Sequence, residues 1–106
     1  MKNKRQKSIT ATLNLFLKKQ GDYIVAMCPA LDLSSYGRDN EDAKKAFAEA
    51  FEIFIEETME KGTLEKELLR LGWQLQLKPV AKYKPPVSHD FPKSKQVREK
   101  VQIPIA

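Results

Sequence analysis

The stretch from Tyr23 to Ala43 does most to limit what this chain can fold into. It strings together an apolar run, a proline break, a second extended segment, a glycine and a helix start. Tyr23-Ile24-Val25-Ala26-Met27-Cys28 is β-branched, aromatic and apolar, which predicts a strand buried on both faces. Pro29 lacks an amide proton and should end that strand's ladder. Leu31 to Tyr36 then reads as extended again, with Leu31, Leu33 and Ser35 on one side and Asp32, Ser34 and Tyr36 on the other. Gly37 allows a sharp reversal at positive φ. Asp39 is placed to cap the next helix, with Asp42 three residues on as a weaker form of the capping box.

Periodicity extends the pattern in both directions. Ile9, Ala11, Leu13, Leu15 and Leu17 alternate with Thr10, Thr12, Asn14, Phe16 and Lys18, describing a one-sided antiparallel strand. Gln20-Gly21-Asp22 supplies the reversal that makes a hairpin with Tyr23–Cys28. Ala43, Ala46, Phe47, Ala50, Phe51, Phe54, Ile55 and Thr58 follow the helical period, so residues 40–61 should be a long helix with an aromatic stripe toward the core. Gly62 ends it, and Thr63 can cap a shorter helix through Leu71. Gly72 stops that one, and Trp73–Leu77 alternates as a fourth strand. The predicted class is α+β: an antiparallel sheet in the order β-β-β-α-α-β, with the long helix on one face.

Beyond Leu77 the composition changes. Pro79, Pro85, Pro86 and Pro92 interrupt a Lys-rich stretch, so residues 78–106 read as an extended or irregular tail. Val101-Gln102-Ile103-Pro104-Ile105 alternates and could add an edge strand at 101–105; docking back and remaining free both fit the pattern. Of the remainder, only Lys93 to Lys100 could be helical.

The net charge of +5 conceals an asymmetry. The arm of residues 1–7 carries +4, the domain of residues 8–77 carries −4, and the tail carries +5. Glu49, Glu52, Glu56 and Glu60, with Glu57, form the acidic side of the long helix and are the candidate partner-binding residues. Their plainest role is a solvated face, but Glu56 and Glu60 repel as an i, i+4 pair, and a basic partner would relieve that repulsion. The 42% of hydrophobic residues contain no apolar run near ~18 residues, so a soluble chain without a membrane span is expected. The single Cys28 excludes an internal disulfide, reads as a small buried hydrophobe, and fits a reducing cytoplasm.

The sequence holds no Gly-rich phosphate loop, paired metal ligands or nucleophile motif. His89, the sole histidine, lies between Ser88 and Asp90 and reads as a solvated side chain. No cofactor and no catalytic residue is expected.

The order of Tyr23, Pro29, Leu31, Gly37, Asp39 and Ala43 resembles the HicB family of bacterial antitoxins, over a span from Ser8 to Leu77. The resemblance implies a degenerate ribonuclease H-like fold. Active enzymes of that fold keep a metal-binding carboxylate on the first strand, and Ser8 to Lys18 has none; Asp32 and Asp39 are the nearest candidates. Strand-end solvation and helix capping account for both without catalysis. The implied partner is a small basic HicA-like toxin that cleaves RNA, masked by occlusion without catalysis. Many family members continue into a DNA-binding module, for which residues 78–106 leave no room. The alternative is a nucleic-acid-binding protein using Lys2–Lys7 and Lys78–Lys100 as phosphate-contacting arms, although only Tyr83 and Phe91 offer stacking there. Unpaired sheet edges and the apolar segment 101–105 further suggest a homodimer, with the tail exchanged between subunits as one route to it.

Overall fold

Three strands follow one another at the start of the fold: β1 (Ser8–Gln20), β2 (Tyr23–Cys28) and β3 (Leu33–Gly37). The computed structural model describes residues 8–76, 81–86 and 94–104. β1 and β2 are joined by a two-residue turn with Gly21 at φ 60°, and Gln20 faces Tyr23 across it. Two helices come next, α1 (Asn40–Lys61) and α2 (Leu64–Arg70). A short hairpin of β4 (Gln74–Gln76) and β5 (Lys82–Lys84) precedes the last strand, β6 (Lys95–Pro104). The main sheet has the order β3-β2-β1-β6, every pair antiparallel. The α+β class with a long helix over an antiparallel sheet is thus observed.

One sheet face builds the core. Ile9, Leu13, Leu15 and Leu17 of β1, Ala26 and Cys28 of β2, and Ile103 of β6 are buried with Phe47 and Phe51 of α1 and Leu64 and Leu68 of α2. The expected helical stripe therefore packs as the 3.6-residue period requires. At the bottom of the core, Trp73 donates from Nε1 to the Ala30 carbonyl at 2.8 Å and meets Tyr83 edge-on at 6.4 Å. Burial pushes the Tyr83 phenol up, with Glu65 acting in the same direction.

Several local expectations need correction. β2 is not buried on both faces: Tyr23 is exposed, and Ile24, Val25 and Met27 are only half-buried. Its continuous apolar run reflects a strand paired on both edges, which says nothing of what covers each face. Phe16 is buried on the face opposite the core cluster, beside Met27 across the ladder. Residues 29–32 form a turn, with Leu31 and Asp32 donating their amides to the carbonyls of Cys28 and Pro29. The extended backbone resumes only at Leu33, because Asp32 takes the left-handed conformation, φ 55°.

Gly37 has a different role from the one its neighbours suggest. It is not at positive φ. A Cβ built on it would lie 2.6 Å from the Asp42 carbonyl carbon and 2.9 Å from Ala43 Cα, and would also overlap the Ala43 amide nitrogen. A glycine is needed there because the first turn of α1 lies against the end of β3.

The helix ends largely follow the expected chemistry. Asp39 accepts from the Asp42 amide at 2.8 Å, and Asp42 returns a bond from the Arg38 amide at 3.0 Å, so the box closes one residue early. Gly62 ends α1 at φ 69°, and the Thr63 amide reaches back to the Thr58 carbonyl at 2.8 Å. Thr63 makes no side-chain cap to α2; its carbonyl accepts from Glu67 at 2.8 Å instead.

The fourth strand of the main sheet is not the segment after Gly72. Residues 74–76 pair only with β5, in a separate two-stranded sheet. β6 fills the fourth place and faces β1 from Ser8↔Pro104 to Leu17↔Lys95. The anticipated edge strand is therefore longer than 101–105 and takes in Lys95–Lys100, which is strand and not helix. Leu77 and Ile105 lie outside the described residues, as do the arm of residues 1–7 and His89.

Candidate functional site: the acidic face of helix α1

Helix α1 presents two faces of opposite character. Ala43, Phe47, Phe51 and Thr58 are buried, and Thr58 Oγ1 donates back to the Phe54 carbonyl at 2.7 Å, as a hydroxyl on a dry face must. On the far side Glu49, Glu52, Glu56 and Glu60 are all exposed. At about 100° per residue they fall within an arc of about 80°, so the structure brings the four into one stripe. Glu57 flanks them, and Ile53, 53% exposed, falls just beyond the arc, between Glu60 and Glu57. An exposed isoleucine among carboxylates was not singled out from the sequence. Its signal was the break it makes in an otherwise acidic face.

Among the described residues, none of these glutamates has a cationic partner. The ion pairs among the described residues lie elsewhere: Lys44 with Glu41 at 3.4 Å and with Glu99 at 4.0 Å, and Arg70 with Glu67 at 2.9 Å. Five uncompensated carboxylates on three turns of helix repel one another and raise the local negative potential.

Beside the stripe lies a groove of about 460 Å³ between α1 and β6. Phe51, Ile55 and Val101 supply its apolar lining, and Glu52, Glu56 and Gln102 its polar one. An apolar floor with an acidic rim suits a partner that brings a hydrophobic anchor and basic neighbours. The groove exists only because β6 closes the sheet under the helix, so no local pattern in α1 could have shown it.

A larger hollow, about 670 Å³, surrounds the N-terminus of α1 and is lined by Arg38, Asp39, Glu41, Asp42 and Lys45. Its charges are mixed, and Asp39 and Asp42 are already engaged in capping. The two carboxylates considered for a metal therefore have structural roles: Asp39 caps α1 and Asp32 occupies the left-handed turn position. Among the described residues, no three histidine, cysteine, aspartate or glutamate side chains are grouped to hold a metal ion. Cys28 is buried in the core, and desolvation pushes its thiol up to about 11. No described helix is long and apolar enough to cross a membrane.

What the geometry defines is a class: an α+β protein with a four-stranded antiparallel sheet, helices over one face and an acidic outer layer. No protein-family model, curated protein or solved structure matches this chain.

Proposed function

We propose that this protein is a binding module that docks a small basic protein on the acidic face of α1, and that it is a HicB-like antitoxin neutralising a HicA-like, RNA-cleaving toxin by occlusion. The observation that carries the proposal is the stripe of Glu49, Glu52, Glu56 and Glu60, without a cationic partner among the described residues, beside the apolar groove. A basic toxin would meet a complementary field along the helix and an anchor site at Phe51, Ile55 and Val101. The three-strand meander leading into a capped helix supports a degenerate ribonuclease H-like reading of the fold. In this reading the domain has no catalytic activity and works in the cytoplasm, where such a toxin would meet its RNA.

The test uses the purified full chain and a small basic RNA-cleaving protein encoded beside its gene. Glu52→Lys with Glu56→Lys should slow association by about tenfold or more and flatten its salt dependence, because exposed charges act mainly on encounter rate. Association that is indifferent to both reversals would sink the proposal. RNA cleavage by this chain with a divalent metal, lost in Asp32→Asn, would overturn its non-catalytic part.

A further inference from the structure

The groove between α1 and β6 lies toward the end of the sheet where β1 begins. Two contacts fix the direction of the helix over the strand. Lys44 meets Glu99 at 4.0 Å, and further along both elements Phe51, Glu52, Ile55 and Glu56 share the groove with Val101 and Gln102. Advancing along α1 is therefore advancing along β6, toward Pro104. Pro104 faces Ser8, the first residue of β1, and Ser8 Oγ donates to the Gln102 side chain at 2.9 Å. The same Gln102 lines the groove, so the chain preceding Ser8 is rooted against one of its walls.

That preceding segment, residues 1–7, has the chemistry the groove calls for. It carries Lys2, Lys4, Arg5 and Lys7 and no acid. Glu52 and Glu56 on the rim are exposed and have no cationic partner among the described residues. Phe51, Ile55 and Val101 form a strip on which the methylene stems of lysine and arginine can lie while their charged ends reach the carboxylates. Reach is sufficient. β1 and β6 are one strand spacing apart, about 5 Å, whereas seven extended residues span about 23 Å. A tether this short holds the segment at an effective concentration on the order of millimolar, so contacts too weak to retain a free peptide suffice.

We propose that residues 1–7 fold back into this groove, laying their basic side chains over Phe51, Ile55 and Val101 toward Glu52 and Glu56, so that the protein covers its own acidic site. The arm then acts as a tethered competitor. A basic partner on α1 has to displace it, and high salt releases it. The docking needs no such partner and stands apart from the antitoxin reading.

The experiment places a nitroxide on the arm of the full chain, through Asn3→Cys in a Cys28→Ala background, and reads the loss of amide signals by NMR against the reduced label. Residues next to Ser8 feel the label wherever the arm lies, so the reading is taken on residues 51–56. Their signals should lose most of their intensity at low salt. They should recover at about 1 M salt, where the screening length falls to about 3 Å. Glu52→Gln with Glu56→Gln should restore them at low salt too, with melting unchanged. Mixing nitroxide-bearing chains with isotope-labelled chains that lack the nitroxide separates a chain's own arm from a neighbour's. The same loss in that mixture would assign the groove to a second copy and overturn the proposal. No loss at residues 51–56, or a loss that neither salt nor the glutamine changes reverse, would overturn it as well.

Discussion

Gly37 shows how one residue can be chosen for what it lacks. Its backbone is open to any amino acid by φ, but there is no room for a methyl group against Asp42 and Ala43. Because the obstructing atoms are backbone, Gly37→Ala must push α1 away from β3, and about 3 kcal/mol of destabilisation in a denaturant melt is expected. A neutral result would mean that the helix start is not held where the structure places it. Cys28 offers a second measurement. Its folded thiol keeps its proton up to about 11, against an ordinary value of 9.0, because burial disfavours the thiolate. The unfolded chain releases that proton earlier, so the contribution is complete below pH 9 and is lost as pH rises toward 11. Wild type should accordingly lose stability relative to Cys28→Ala across that window. A constant difference between the two would exclude a buried neutral thiol.

Elements in this protein are specified by their own patterns and completed by their neighbours. α1 was legible throughout, because capping by Asp39, the Phe47–Phe51–Phe54 spacing and the stop at Gly62 all agree. Phe47 is 3% exposed at the centre of the helix–sheet contact. Phe47→Ala should cost ~3–5 kcal/mol by urea unfolding, and a change near zero would remove the helix from the core. The strands were harder to read. The alternation in β1 marks its core face correctly, but Phe16 breaks it by being buried on the other side. β6 alternates weakly because Lys95, Arg98 and Lys100 dominate its sequence. Those charges lie on the strand that ends the main sheet among the described residues, where lysine is no obstacle to pairing.

At the scale of the whole molecule, β6 ties the end of the chain to its beginning. Ile103 is completely buried, and Val97 and Val101 pack against the core cluster. A chain ending at Leu77 would lack this strand and expose the core side of β1, so circular dichroism should show it unfolded or aggregated. A stable truncated fold would contradict the role given to β6. We also propose that the full chain is a homodimer, through the edge of β6 that is unpaired among the described residues or by exchanging that strand in the same register with a second copy. Sedimentation equilibrium should then give the mass of two chains, and a single-chain mass at every concentration would exclude it.

Local chemistry was enough to specify α1, α2, the first hairpin and the two glycine stops, because capping, turn geometry and side-chain period act within a few residues of each other. It also located Glu49, Glu52, Glu56 and Glu60 on one face. It could not assign the fourth place in the sheet, since residues 74–76 and 95–104 both have strand-like patterns and only pairing with β1 separates them. Nor could it bring Phe51, Ile55 and Val101 to one groove, or set Ser8 beside Gln102. Those residues come from α1, β1 and β6, and their meeting depends on register, which long-range hydrogen bonding and burial of the core face impose together.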